Sequence, residues 1–147
     1  VKRSPITYHD PCHLKKTLGV SSEPRALIHT NSQYCFKEMS GADACCGLGG
    51  SFNLQQYELS SDIGMRKRNN IKISGSSTAA TGCPACMIQI SDMLSRSGDR
   101  IAVKNPIEIY AEAINLPGSN IFIFIYLPDL PDSFEYLLKL RSECAIF

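Results

Sequence analysis

Seven cysteines are spread over this 147-residue chain. Five of them fall in three groups that could share one centre: Cys12, the adjacent pair Cys45-Cys46, and Cys83-Pro84-Ala85-Cys86. Thiolates bind soft metals and attack disulfides, so metal binding and thiol–disulfide exchange are the chemistries this inventory allows. The odd count and uneven spacing suit neither exchange alone nor the disulfide framework of a small secreted scaffold. The two-residue spacer lets Cys83 and Cys86 face one centre, and Pro84 fits a first helical turn, where its missing N–H is not needed. Structural zinc wants four tetrahedral ligands, and neighbouring Cys45 and Cys46 would chelate a single small ion awkwardly. A multinuclear iron–sulfur centre spreads its ligand positions over several ångströms and accommodates the extra cysteine. The expected metal ligands are therefore Cys12, Cys45, Cys46, Cys83 and Cys86, with iron–sulfur as the cofactor and zinc as the alternative.

Residues around these thiols extend the expected site. Gly47, Gly49 and Gly50 let the backbone approach the centre and can present amide donors to sulfur. His9 and His13 flank Cys12 and can donate to a cluster sulfur or shift its potential, although turn-stabilising or solvent-facing roles suit them as well. Gly47-Leu48-Gly49-Gly50 lacks the Gly-x-Gly-x-x-Gly spacing of a dinucleotide site. Asp10, ahead of Pro11, reads as a turn or cap former. Cys35 reads as a small buried hydrophobe and Cys144 as a spare thiol. Arg66-Lys67-Arg68 reads as three cations that complement a helix dipole and face water.

Three segments so far apart need a scaffold that gathers them. Pro5 to Tyr8 is a β-type run that stops at His9-Asp10-Pro11, and Cys12 to Leu18 reads as one or two helical turns. A short helix is expected around Pro24 to Ile28 and a second strand over Tyr34 to Met39. A long helix follows the Cys45-Cys46 loop, with Leu54, Tyr57, Ile63 and Ile71 near helical spacing and Gly75 as its cap. Thr78 to Thr81 reads as a strand, Met87, Ile90 and Leu94 as one face of the next helix, Arg100 to Lys104 as a strand, and Pro106 as the opening of a helix over Ile107 to Ile114. Alternating strands and helices predict an α/β, Rossmann-like fold with a mostly parallel sheet flanked by helices. In such a sheet the strand-to-helix handovers share the carboxyl edge, where ligand sites form. The cysteine site is expected there, with each group at a helix start whose N–H groups favour a thiolate.

Lysine plus arginine exceeds aspartate plus glutamate by one, so no excess charge points to nucleic acid or an anionic membrane. The longest apolar run, Ile121 to Leu127, is far short of the ~20 residues that span a bilayer, and reads as a strand. The chain opens on Val1 without a signal-peptide pattern and is read as a piece of a longer cytoplasmic chain.

At these residues the chain resembles the cysteine-rich CCG domain. That domain occurs in the B subunit of heterodisulfide reductase and in the iron–sulfur subunits of glycolate oxidase, lactate-utilisation enzymes and anaerobic glycerol-3-phosphate dehydrogenase. The matching stretches are Tyr8-His9-Asp10-Pro11-Cys12-His13, Cys45-Cys46-Gly47-Leu48-Gly49-Gly50-Ser51-Phe52, Thr81-Gly82-Cys83-Pro84-Ala85-Cys86 and Pro106-Ile107-Glu108. The resemblance implies a [4Fe-4S] centre, noncubane in the heterodisulfide reductase relatives, with zinc or a conventional cluster in others. It also implies a second copy of the domain, parted from a ferredoxin-like segment and a first CCG copy. A flavin-bearing dehydrogenase subunit is the implied partner, passing electrons from a 2-hydroxy acid through the clusters to a quinone or other acceptor. Attachment at the inner face of the membrane would then be peripheral, through partners. Residues 1–117 are read as this domain and 118–147 as a C-terminal extension. Two alternatives remain: a thiol–disulfide oxidoreductase using Cys83 and Cys86, which leaves Cys45-Cys46 unexplained, and a structural zinc-binding interaction module, which leaves one thiol idle.

Overall fold

In the computed structural model, which describes residues 3–114, four short strands lie side by side and all run parallel. They are β1 (Ser4–Tyr8), β2 (Tyr34–Phe36), β3 (Thr78–Ala80) and β4 (Ala102–Lys104), in the order β2-β1-β3-β4. Ile6 sits opposite Phe36 on one side and Thr78 on the other. Parallel neighbours need crossover connections, and the helices that supply them cover both faces. These are α1 (Ser22–His29), α2 (Phe52–Gln55), α3 (Tyr57–Ile73), α4 (Pro84–Arg96) and α5 (Pro106–Ile114), with a short π-helical turn over His13–Thr17. The fold is α/β and Rossmann-like, as the alternation of the sequence predicts. The expected strand at Ile121 to Leu127, the segment from Ser133, Cys144 and the boundary at residue 117 lie outside the described residues.

Successive residues of a strand point to opposite faces, and β3 shows the division directly. Ala79 packs with Ile71 of α3 and with Ile90 and Leu94 of α4, together with Met39, Ala42, Cys46, Cys83 and Cys86. Ala80 packs on the other face with Ile6, Tyr8, Ile28 of α1 and Ile109 of α5. Three of the expected ligands therefore belong to the core on the α3/α4 side. Here a thiol replaces a hydrophobe without a break in packing.

Several expectations are corrected. β2 ends at Phe36 rather than Met39, because the chain turns over the strand end toward Gly41, whose φ is +63°. The expected long helix is broken at Gln56 (φ −132°, ψ 57°) into α2 and α3. Leu54 and Tyr57 point to solvent, and the buried stripe of α3 is Ser60, Gly64, Lys67 and Ile71. Gly64 stands in this stripe because α3 lies close against α4: a Cβ there would come 2.8 Å from Met93 Cγ. Lys67 is thus buried rather than solvent-facing, while Arg68 pairs with Asp99 and Arg66 is exposed. Cys35 is half-buried in β2. His29 meets Phe36 edge to face at 5.2 Å.

Asp10 is more than a turn former. Its fully buried carboxylate accepts from Arg25 Nη1 at 2.7 Å and Nη2 at 2.9 Å, and from Lys15 Nζ at 3.4 Å. Arg25 lies over the Tyr8 ring and also holds Glu38. The pairing fixes the segment that carries His9 and Cys12 to α1. Burial would raise the Asp10 carboxyl, but the Arg25 hydrogen bonds and charge, aided by Lys15, hold it below its ordinary value. Removing one partner of a buried pair leaves an uncompensated charge, so Arg25→Met should cost about 3 kcal/mol in urea unfolding of the metal-free protein. Because the Asp10 value is lowered, the pair's contribution is complete above the unfolded carboxyl's pKa of about 4 and fades as pH falls through the lowered value. The stability gap between wild type and Arg25→Met should accordingly be widest near neutral pH and close under acid.

Candidate metal centre

At the carboxyl edge of the sheet, the chain leaves β1 through His9-Asp10-Pro11-Cys12, leaves β2 toward Cys45-Cys46, and leaves β3 through Thr81-Gly82-Cys83. Main-chain bonds tie these exits together: His9 N–H donates to Ala80 O at 2.8 Å and Asp10 N–H to Ala42 O at 3.0 Å. All five expected ligands line one cavity of about 270 Å³, with His9, His13, Leu48, Gly49, Gly50 and Ala85. Each of the five is a free thiol. Cys46, Cys83 and Cys86 are buried at its base, and Cys12 and Cys45 are exposed at its rim.

Two of the three groups begin helical turns, as expected: Cys12 precedes the turn at His13, and Cys83 caps α4 with Pro84 in the first turn. The third does not, since α2 starts only at Phe52. Cys45-Cys46 draws its amide donors from its own glycine-rich loop instead. Gly47 N–H donates to Cys45 Sγ at 3.3 Å, and Leu48 N–H stabilises the Cys46 thiolate. Gly47 does not line the cavity. It lets the loop press on α3: its φ is +100°, a Cβ there would sit 2.4 Å from Ser60 O, and its carbonyl accepts from Ser60 Oγ at 2.8 Å.

The thiols at the base are too close to behave independently. Cys46 Sγ and Cys86 Sγ are 3.3 Å apart, and a ring nitrogen of His9 joins them in a group whose ligand atoms lie within 4.8 Å of one another. The hydrogen bond from Cys86 draws the Cys46 thiol well below its ordinary range, against burial. The same contact, with burial, drives Cys86 upward, so the metal-free pair holds one proton between two sulfurs. His9 Nδ1 faces Ala42 O at 3.1 Å, and since a carbonyl only accepts, Nδ1 carries the proton. Nε2 is then buried without a hydrogen-bond partner among the described residues, as is Thr81 Oγ1. Crowded thiols and an orphaned imidazole nitrogen fit a soft metal centre, which removes thiol protons and satisfies the buried donor atoms.

Sequence reasoning missed Lys67, whose Nζ donates to Gly41 O at 2.6 Å and Ala42 O at 3.2 Å beneath the cysteine loop. Burial pulls this ammonium down to about 8, with Cys46 and Asp43 acting upward. Its place on one helical face with Ser60, Gly64 and Ile71 was the available signal.

Fold and site define a class: a parallel α/β domain that gathers cysteines from three strand exits around one cavity. The chain belongs to the cysteine-rich CCG domain family, whose model matches residues 6–91. It is 34% identical over 105 residues to the B subunit of fumarate reductase (CoM/CoB) of Methanothermobacter marburgensis, covering 71% of this chain and 22% of that protein. It is 36% identical over 93 residues to a probable glycolate oxidase iron-sulfur subunit of Bacillus subtilis, covering 63% and 21%. Against the D subunit of dihydromethanophenazine:CoB--CoM heterodisulfide reductase of Methanosarcina barkeri it is 32% identical over 117 residues, covering 78% and 29%. The chain thus spans less than a third of the length of each of these relatives. Among the described residues no helix is long and apolar enough to cross a membrane.

Gly47→Ala should unseat the Cys45-Cys46 loop, because both the clash with Ser60 O and the positive φ oppose a side chain. Gly98→Ala, away from the cavity, meets nothing within 4 Å and should cost only about 1 kcal/mol for its positive φ of 68°. Metal stoichiometry after anaerobic loading should fall sharply in Gly47→Ala and stay near wild type in Gly98→Ala.

Proposed function

We propose that this chain is an iron–sulfur electron-transfer module of an oxidoreductase, its cluster held by Cys12, Cys45, Cys46, Cys83 and Cys86. The observation that carries the reading is the single cavity lined by all five thiols, with two sulfurs already 3.3 Å apart at its base. Names of relatives support it, since one is an iron-sulfur subunit and others are subunits of reductases. A bound [4Fe-4S] cluster, cubane or noncubane, would accept and release single electrons there.

The chain's own residues prepare the site. Gly47 and Leu48 amides lower the charge cost of the Cys45 and Cys46 thiolates. His9, oriented by Ala42 O, offers Nε2 toward the buried sulfurs, and His13, Gly49 and Gly50 line the cavity without crowding it. The core around Cys46, Cys83 and Cys86 keeps water from three of the ligands. Cys12 and Cys45 at the rim give electrons a short way in and out. The fitting context is a glycolate- or lactate-type dehydrogenase, in which a flavin-bearing partner delivers electrons that leave to a quinone or other acceptor.

Protein isolated without oxygen should be brown, with broad charge-transfer absorption and both iron and acid-labile sulfide. Colourless protein with about one zinc would instead identify a structural zinc module, and colourless, metal-free protein that reduces disulfides a thiol–disulfide enzyme. Cys46→Ser separates five ligands from four: it should cut iron content and bleach the visible spectrum, whereas a conventional four-cysteine site using the remaining thiols would survive.

A further inference from the structure

Lys67 is 1% exposed, and the partners its Nζ reaches are two neutral carbonyls, Gly41 O and Ala42 O. An ammonium buried without a carboxylate is unfavourable unless other negative charge compensates it. Both acceptors belong to the turn that leads directly into Cys45-Cys46, and the Cys46 thiolate and the Asp43 carboxylate act upward on the ammonium against its burial. Nearby cations are already engaged: Arg25 with Asp10 and Glu38, and Lys15 with Asp10 and Asp43. The loop does not depend on Lys67 alone, because Ala42 O also accepts from His9 Nδ1 and Asp10 N–H, and Gly41 is exposed.

We infer that Lys67 is a buried counter-charge to the thiolate-bound centre, a positioning residue that raises its reduction potential. The inference rests on the iron–sulfur reading above. Reduction adds one electron, taken from the donor protein in the assembly or from dithionite in a titration, and leaves the centre one unit more negative. Lys67 transfers no proton and stays an ammonium in both states. A fixed positive charge in a poorly screened interior favours the more negative state, so the centre is easier to reduce with Lys67 than without it.

The test uses the full chain, loaded anaerobically with iron and sulfide, in EPR-monitored dithionite titrations of wild type, Lys67→Met, Lys67→Arg and the surface control Arg66→Met. Wild-type protein that takes up no iron fails the iron–sulfur reading itself, before Lys67 is at issue. With iron present in wild type, Lys67→Met should keep the cluster and titrate at a clearly more negative potential, while Lys67→Arg and Arg66→Met stay close to wild type. A loaded Lys67→Met at the wild-type potential, or shifted no further than Arg66→Met, overturns the assignment. If Lys67→Met loses the cluster, Lys67→Arg decides. Loaded at the wild-type potential it supports the counter-charge. Loaded at a displaced potential, or failing to load, it overturns it, because Lys67 then serves only the shape of the loop.

Discussion

Everything at the carboxyl edge of this sheet depends on one electrostatic constraint: several thiols share a space too small for them to ionise together. Cys46 and Cys86 sulfurs 3.3 Å apart can carry one negative charge between them in the metal-free state, but not two. A cation that binds sulfur would relieve the repulsion by replacing the shared proton, and its binding would strengthen as protons leave. The surroundings reduce the remaining cost with amides from Gly47 and Leu48 and with the ammonium of Lys67.

A fold that must hold such a group needs rigid exits from its strands. The Ala42 carbonyl is the junction, accepting from the Asp10 amide, the His9 ring and Lys67 at once. It thereby joins the β1 exit, the cysteine loop and α3. Asp10 and Arg25 anchor the same exit from the opposite layer. Gly47 and Gly64 let the loop, α3 and α4 approach without side chains between them. Preorganisation of this kind holds the five thiols around one cavity.

The parallel sheet and the convergence of the five cysteines were legible in the sequence, because alternating elements force strand exits to one edge and cysteine spacing marks the exits. Two of the misses share one cause. Lys67 and Asp10 are charged residues whose burial is made possible by partners distant in sequence, and local pattern places such residues on the surface. The inner face of α3 escaped for a related reason: it is chosen for closeness rather than apolarity, so Ser60 and Gly64 stand where periodicity looks for leucine. The break at Gln56 carries no proline or glycine to announce it.

A multinuclear iron centre on these thiols would differ from a single ion in its second shell. X-ray absorption at the metal edge of anaerobically isolated protein should show iron in a sulfur shell with a second, iron–iron shell beyond it. A lone metal–sulfur shell near about 2.3 Å, the distance of zinc bound to thiolates, with no metal neighbour outside it, would contradict a multinuclear centre.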